Sequence, residues 1–218
     1  MTRRYAALVA NEAARPPRGD DTATRVLDAA ERLVQTRGFN GFSYADIAAE
    51  LGITKASIHY HFASKAALGR ALVERYAARF AAELAAIDER VDDPAAKLDA
   101  YAGLYGHVLR DDLMCLCGML AAEFRTLPEP MREAIVGFFD ESEAWLAHVL
   151  DDGRADASLE LVGSSREAAR LLVSGLEGAM LVARPYRDLG RFDAAAAQLL
   201  ASVAHRRSEP ASGAPDAA

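Results

Sequence analysis

Long apolar runs, aromatic residues and cysteines are scarce in this chain. Aromatic residues make up 7% of its 218 residues, and no apolar stretch approaches the ~20 residues of a membrane-spanning helix. The two cysteines are not accompanied by a secretory signal core, which favours a reducing, cytoplasmic location over a disulfide framework. We therefore expect no membrane partner. Alternating Val- and Thr-rich runs are also few while alanine is abundant, so the composition predicts an all-α protein.

Positive charge is in deficit overall, with a formal net charge of −7. The deficit is confined to residues 69–218, which carry 16 Lys/Arg against 25 Asp/Glu, or −9. Residues 1–68 carry 9 Lys/Arg against 7 Asp/Glu, or +2. An acidic total does not exclude DNA binding, because affinity depends on where the cations lie rather than on their sum.

The stretch ITKASIHYHFASK, residues 53–65, has the character of a DNA-recognition helix. Gly52 precedes it and favours a sharp turn between two helices, and Thr54 is a suitable N-cap. Ile58 and Phe62, four residues apart, give only a thin apolar anchor. Most of the other side chains are small and polar, aromatic or cationic, which suits phosphates and base edges. The stretch therefore predicts the recognition helix of a helix-turn-helix motif.

Two further helices are expected just before this stretch. The first should run from about Thr22 to Arg37 and end at Gly38, with two phenylalanines beyond it in the core (Phe39 and Phe42). Ser43 should cap the second, YADIAAEL, with Asp46 replacing the glutamate of a capping box. Together the three helices predict a compact N-terminal helix-turn-helix domain.

Helices are expected throughout the rest of the chain as well. A long one should run from Ser64 without a break to Asp92-Asp93-Pro94, along an apolar seam (Leu68, Leu72, Tyr76, Phe80, Leu84 and Ile87). From Pro94 onward only helices are predicted, over about 94–110, 112–126, 129–152, 165–184 and 191–205.

Four segments follow from this pattern. Residues 1–20 contain four arginines with Pro16-Pro17 and predict a flexible basic leader or, alternatively, an arm that reaches phosphates or the minor groove. Residues 21–68 form the predicted DNA-binding domain and residues 69–206 a second helical domain. The composition of residues 207–218 predicts a disordered tail.

Residues 22–80 resemble the DNA-binding domain of the TetR/AcrR family of bacterial repressors. The resemblance rests on Gly38-Phe39, on YADIAAELGI, and on KASIHYHFASKAAL with its Tyr-His-Phe-x-Ser-Lys ending. It implies an all-α homodimer that binds a double-stranded DNA operator. It also implies that residues 69–206 form a ligand-binding and dimerisation domain, where a small-molecule inducer binds and releases the DNA.

The resemblance also assigns DNA contacts residue by residue. Base-edge contacts fall at Lys55, Ala56 and His59, and phosphate contacts fall at Ser43, Tyr44, Thr54, Ser57, Tyr60, His61 and Lys65. The chemistry agrees, because lysine donates to guanine and imidazole donates or accepts according to its tautomer. Relatives often have tyrosine at position 59, which predicts a different operator preference for this protein. A capping or core role is an equal alternative for His61.

The segment MCLCGMLAAEFRTLPEPMR is similar to the branch of this family that responds to electrophiles, with acrylate-responsive relatives also close. In that branch a cysteine at the position of Cys115 senses reactive carbonyls, quinones, maleimides or oxidants. A thiolate would need a nearby cation, for which His107, Arg110 and Arg184 are candidates. Asp111 and Asp112, expected just before a helix that contains the cysteine, oppose thiolate formation. A buried, inert cysteine is the alternative.

The two cysteines, Cys115 and Cys117, should not pair with each other. Two positions apart on one helix, they point roughly 200° away from each other. A ligand cavity is expected beside Cys115, because ligand sites are apolar with a few polar groups. Its candidate lining residues are Tyr101, Tyr105, His107, Met119, Phe124, Phe138, Trp145, Met180 and Arg184, any of which is alternatively plain core.

The dimer interface is expected on the helices over about 129–152 and 165–184, as the resemblance implies. A small-residue face (Gly175, Gly178, Ala179 and Ala183) would let helix axes approach to the short end of about 8–10 Å in a four-helix bundle. The sequence therefore predicts a ligand-responsive regulator, most simply a repressor, that binds a near-palindromic operator as a homodimer.

Two other classes of function are alternatives to this one. A cysteine-dependent enzyme on a helical fold has no Ser/His/Asp set or phosphate loop to support it, and no cofactor is indicated. His59 and His61 do not share a helix face as a zinc pair would, so no metal site is expected. An architectural DNA binder without a ligand is the second alternative, and the long C-terminal domain argues against it.

Overall fold

A computed structural model describes residues 19–206 of the chain. Of the leader predicted over residues 1–20, only the last two fall within this range, where they begin the first helix, and the predicted tail lies outside it. The helices are α1 (Gly19–Arg37), α2 (Tyr44–Leu51), α3 (Lys55–His61), α4 (Lys65–Arg90), α5 (Pro94–Arg110), α6 (Leu116–Ala122), α7 (Glu129–Ala155), α8 (Ser165–Tyr186) and α9 (Leu189–Val203). The all-α fold class is confirmed. None of the helices within this range has the length and apolar content to span a bilayer.

Short-range signals form the N-terminal bundle as the sequence predicts. Ser43 caps α2, and Asp46 completes the capping box by accepting from the Ser43 backbone N–H at 2.7 Å. Gly52 ends α2 in the left-handed conformation with φ of 65°. Thr54 then caps α3 by accepting from the Ser57 backbone N–H at 3.1 Å. α1, α2 and α3 therefore have the boundaries of a helix-turn-helix bundle.

The long helix α4 connects the N-terminal bundle to the rest of the protein. It runs unbroken over the predicted length and buries most of its predicted seam (Leu68, Leu72, Tyr76, Leu84 and Ile87). Arg75 on α4 forms ion pairs at 2.8 Å with Asp28 and with Glu31 on α1, so α4 is held to the first helix by charge as well as by packing. The boundary predicted at residue 69 falls inside α4 and stays a prediction.

The helix predicted over about 112–126 is wrong in both length and position. α5 ends in a turn at Asp111 and Asp112, where Asp112 has φ of 57°, and α6 begins only at Leu116. Cys115 is the N-cap of α6 rather than an interior residue. After α6 a single 3₁₀ turn spans Phe124–Thr126. The two aspartates therefore end one helix instead of beginning the next.

The expectation of helices alone after Pro94 also needs a correction. Two three-residue strands, β1 (Leu159–Leu161) and β2 (Ala204–Arg206), pair antiparallel, with Leu159 opposite Arg206. β2 begins directly after α9, so the last helix ends two residues earlier than predicted, at Val203. Leu159 is buried against Gly153, where a Cβ would lie 2.5 Å from the leucine side chain. The ladder thus fixes the end of α9 against the end of α7.

The contact between α4 and α7 depends on one glycine. A Cβ on Gly69 would lie 2.4 Å from the Met131 sulfur and 2.7 Å from the Phe39 ring, and both side chains are buried. Phe39 belongs to the N-terminal bundle and Met131 to α7, so all three segments meet where Gly69 has no side chain. This close approach joins the two parts of the protein.

We expect Gly69→Ala to lower the free energy of unfolding by about 1–3 kcal/mol, because the added methyl overpacks a buried contact. Gly103→Ala is the matched control, since Gly103 is an exposed residue of α5 with no neighbour within 4 Å of an added Cβ. The control should be stabilised by about 0.5–1 kcal/mol through helix propensity. Urea unfolding followed by circular dichroism measures both, and shifts of the same sign would contradict this account.

Candidate functional site

α3 presents a polar surface on top of a small apolar anchor. Ile58 is fully buried and Phe62 is 9% exposed, so these two hold the helix against the bundle. The recognition face is what remains, and it consists of Thr54, Lys55, Ala56, Ser57, His59, Tyr60 and His61. Ser57 and His61 are half-buried and the other five are exposed, Tyr60 to 85%. None of these seven side chains is part of the core, so the face is free to meet another molecule.

Two predicted phosphate contacts face inward instead. The Tyr44 hydroxyl donates to the Phe62 carbonyl at 3.0 Å, and burial raises the pKa of this tyrosine to about 12. The Lys65 ammonium donates to the carbonyls of Phe39 and Phe42 and lies over both of their rings. Burial lowers the pKa of Lys65. In the structure these side chains brace the bundle, while Ser43 remains exposed at the start of α2.

A cavity of about 530 Å³ lies between α4, α5, the start of α6 and α8. Its inner end is lined by buried side chains (Tyr76, Tyr105, Cys115 and Met180). Its outer end has exposed polar side chains (Arg79, Glu83 and His107). The volume suits a small organic molecule.

The structure divides the predicted ligand residues into two groups. Tyr105, His107, Cys115 and Met180 line the cavity. The others lie outside its lining: Tyr101, Met119, Phe124, Phe138, Trp145 and Arg184. Trp145 donates to Asp88 at 2.8 Å and stacks on Tyr101, and Phe124 lies against Arg132 with 37% of its surface exposed. Phe138 packs behind the cavity, with its ring centroid 5.0 Å from that of Phe80.

Cys115 is a buried thiol, 3% exposed, at the inner end of this cavity. Its sulfur accepts from the Tyr76 hydroxyl at 3.8 Å and from the Gly118 backbone N–H at 3.5 Å. Burial raises the pKa of Cys115 well above its usual value, and the nearby Glu177 carboxyl raises it further. At neutral pH the sulfur therefore carries its proton.

The three cations proposed to favour a thiolate have other partners. Arg184 donates to the Thr36 carbonyl at 3.0 Å and lies 3.6 Å from the Met119 sulfur, while Arg110 and His107 contact each other at 3.4 Å. In the part of the chain that the structure describes, no hydrogen bond joins any of the three to the Cys115 sulfur. The charge next to Cys115 is that of an acid rather than a base.

α6 joins the cavity to the DNA-binding bundle. Glu123, at its C-terminal end, accepts from the Phe39 N–H at 2.7 Å and from the Asn40 N–H at 3.2 Å, in the turn between α1 and α2. At its other end, Gln35 of α1 donates to the Met114 carbonyl at 2.9 Å. A side chain on Gly38 would collide with the Glu123 carboxylate. Cys115 and Glu123 thus lie at opposite ends of the seven-residue helix α6.

Sequence reasoning missed Glu177, Tyr76 and Glu123 as parts of the site. The sequence correctly places the Tyr76 ring in the apolar seam of α4, but it does not indicate that the hydroxyl contacts the Cys115 sulfur. A local pattern could have predicted that Glu177 lies on the inner face of α8, because it comes four residues after Val173 and three before Met180, both of which are buried. Glu123 had none, because its partners are more than 80 residues away. Between residues 19 and 206 no group of three or more His, Cys, Asp or Glu side chains is arranged to hold a metal.

Two family profiles match the chain. The profile described as "Bacterial regulatory proteins, tetR family" matches residues 26–72, which span the helix-turn-helix bundle. The profile described as "Tetracyclin repressor-like, C-terminal domain" matches residues 94–199, which span the helices around the cavity.

Known proteins agree with these matches over most of the chain. A TetR-family transcriptional regulator from Agrobacterium tumefaciens has a solved structure with 34% identity and a TM-score of 0.83, covering 86% of this chain and all of that one. The transcriptional repressor NemR of Escherichia coli is 28% identical over 174 residues, 77% of this chain and 86% of NemR. Its reduced form matches with a TM-score of 0.75 at 27% identity, covering 85% of this chain and 98% of that one.

A third relative is the transcriptional regulator AcuR of Cereibacter sphaeroides, 28% identical over 155 residues, 68% of this chain and 69% of AcuR. These relatives are regulators of transcription that share both the DNA-binding bundle and the helical C-terminal part. The chain belongs to the TetR family of bacterial transcriptional regulators.

Proposed function

We propose that this protein is a repressor that binds a near-palindromic operator as a homodimer and releases it when a small electrophile adds to Cys115. One observation carries the proposal: the cysteine that lines the cavity also caps the helix that holds the DNA-binding bundle. A change at the sulfur therefore acts on the position of that bundle through a single short helix.

DNA recognition is assigned to the recognition face of α3. Lys55 and His59 are both exposed, and a lysine suits guanine edges in the major groove. The Nδ1 atom of His59 lies 3.4 Å from the Ala63 carbonyl oxygen, so its Nε2 atom is the one assigned to a base edge. Ser43, Thr54, Ser57, Tyr60 and His61 surround them with groups suited to phosphates. Two such faces in a dimer would reach half-sites about one helical turn apart.

The homodimer is assigned to α7 and α8. Large apolar side chains are exposed on α8 (Leu171, Leu181 and Val182), and Val136 on α7 is 48% exposed. The small-residue face expected here is divided, because Gly175 packs against Leu199 of the same chain and Ala183 is buried. Gly178 has no neighbour within 4 Å and stays open on the outer side. An apolar stripe of this kind supports a helix-to-helix dimer contact.

The inducer is assigned to the cavity, and its effect to α6. An adduct on Cys115 adds atoms at the buried inner end, and making room for them moves the sulfur away from the Gly118 N–H that it caps, which weakens the start of α6. The Glu123 carboxylate at the other end then moves relative to Phe39 and Asn40. A second connection runs from Arg79 at the cavity mouth to Glu31 on α1. A change in either connection alters the position of the bundle, and with it the spacing between the recognition faces of the two subunits.

The relatives support this assignment in their names alone. NemR is a repressor, and the solved form described above is its reduced form, so that protein has distinguishable oxidation states. A cysteine-dependent enzyme gains no support from the site, because among residues 19–206 no histidine hydrogen-bonds to the Cys115 sulfur, whose partners are Tyr76 and Gly118. An architectural DNA binder would leave the cavity and Cys115 without a role.

We expect Lys55→Ala to weaken operator binding by about 1–3 kcal/mol per half-site, because a base-edge contact is lost. Fluorescence anisotropy with the intergenic DNA beside the gene measures it. Arg90→Ala is the control, since it removes the same charge from the exposed far end of α4. Equal losses in the two variants would mean that Lys55 acts through net charge alone.

N-ethylmaleimide should release the operator from the wild-type protein but not from Cys115→Ser, because serine forms no such thioether. Cys117→Ser is the matched control, since Cys117 is equally buried, lies outside the cavity lining and should leave release intact. The same anisotropy assay measures all three proteins before and after treatment. Release from Cys115→Ser would turn the search to non-covalent ligands of the cavity.

Glu123→Ala should reduce the ratio between the operator affinities of untreated and treated protein. Allosteric effectors typically change the affinity of a second site by roughly 5- to 150-fold, so a clear decrease in this ratio is measurable. The reason is that the carboxylate joins α6 to the bundle. Glu129→Ala removes an equal charge from an exposed position at the start of α7 and should keep the wild-type ratio. An unchanged ratio in Glu123→Ala would exclude this route.

A further inference from the structure

Three groups that can gain or lose a proton lie beside one another behind the inner end of the cavity. They are the Cys115 thiol, the Tyr76 hydroxyl and the Glu177 carboxyl, contributed by the α6 cap, α4 and α8. Cys115 and Tyr76 line the cavity and Glu177 lies outside its lining, and both the Cys115 sulfur and the Glu177 Oε2 atom lie against Gly118. The Glu177 Oε1 atom is buried and has no hydrogen-bond partner among residues 19–206. A buried carboxylate oxygen without a partner is costly, which points to a role beyond stability.

The Glu177 carboxyl can approach the sulfur because residue 118 is a glycine. A Cβ on Gly118 would lie 2.1 Å from the Glu177 Oε2 atom, so any other residue there would push the carboxyl away from the sulfur. The Gly118 backbone N–H also donates to the Cys115 sulfur. One glycine therefore permits the acid to approach and supplies a hydrogen bond to the thiol.

A resting thiolate cannot explain how Cys115 would react. Burial and the Glu177 charge both raise the pKa of the thiol, so the reactive anion is scarce at neutral pH. Burial also raises the pKa of Glu177, to about 7, so near neutral pH a large share of these carboxyls is ionised and able to accept a proton. The pair thus holds a protonated nucleophile beside a base whose pKa matches the surrounding pH.

We propose that Glu177 is the proton acceptor that activates Cys115 for addition to a neutral α,β-unsaturated carbonyl compound, an inference that rests on the proposed function. The thiol proton moves to the Glu177 carboxylate as the sulfur lone pair forms a bond to the β-carbon. The π electrons of the alkene shift to give an enolate, and the protonated Glu177 returns the proton to the α-carbon. Thiol and alkene become a thioether, with no oxidant, reductant or leaving group.

Tyr76 and the charge of the site fit the same step. The Tyr76 hydroxyl donates to the sulfur and lines the cavity, so it can stabilise negative charge as the proton leaves. The carboxylate beside the sulfur disfavours an anionic reactant, which selects neutral enones and imides over carboxylate-bearing ones.

The test is the rate at which N-ethylmaleimide adds to Cys115, measured by mass spectrometry in a Cys117→Ser background. With Glu177 present, the rate should rise with pH and level off above its pKa of about 7. Glu177→Gln should react roughly 10²-fold more slowly at the plateau, the lower end of what a positioned base contributes. It should also lose the plateau, because only the thiolate then reacts. Glu89→Gln, at an exposed position near the end of α4 and outside the cavity lining, should behave like its parent.

The outcomes separate this inference from the function on which it rests. If Glu177 acted only through its charge, Glu177→Gln would lower the thiol pKa and react faster, which would overturn the inference. An unchanged rate or an intact plateau in Glu177→Gln would overturn it as well, while adduct formation and DNA release still upheld the proposed function. No adduct on Cys115 of the parent protein would overturn both. Circular dichroism and operator binding before treatment establish that the variants are folded.

Discussion

The hydrogen bonds from the α1–α2 turn to the Glu123 carboxylate connect the two parts of the protein. They join a DNA-binding bundle, which is built from local signals, to a helical domain that surrounds a cavity. Because α6 has only seven residues, a displacement at its Cys115 end is not absorbed by a long flexible helix. Packed interfaces of this kind switch between discrete arrangements instead of deforming gradually.

The close packing around Gly69 is a second fixed contact between the bundle and the helical domain. Phe39 and Met131 meet over the bare backbone of α4, so the bundle cannot slide along α4 without breaking a buried contact. Lys65 and Tyr44 brace the bundle from within, through hydrogen bonds to backbone carbonyls. The bundle is therefore braced as one unit, and the turn that Glu123 contacts is part of it.

Burial of Cys115 has opposite effects on stability and on reactivity. A neutral thiol packs well among Tyr76, Tyr105 and Met180, and the same burial removes the thiolate that chemistry requires. An adjacent carboxyl with a raised pKa resolves the conflict, because the proton can leave the sulfur without entering water. The resting protein can then keep a well-packed core and still respond to a molecule that reaches the cavity.

The sequence by itself determined most of the helices, the caps Ser43 and Thr54, and the helix-turn-helix bundle with its exposed recognition face. Those features depend on apolar periodicity and on capping residues within a few positions of one another. Only the tertiary structure decided that Tyr44 and Lys65 turn inward, that α6 begins after Cys115, and that two short strands pair. It also brought Glu177 to Cys115 and Glu123 to Phe39. These contacts join residues far apart in the chain, and their geometry is set by how whole helices pack, which no local pattern encodes.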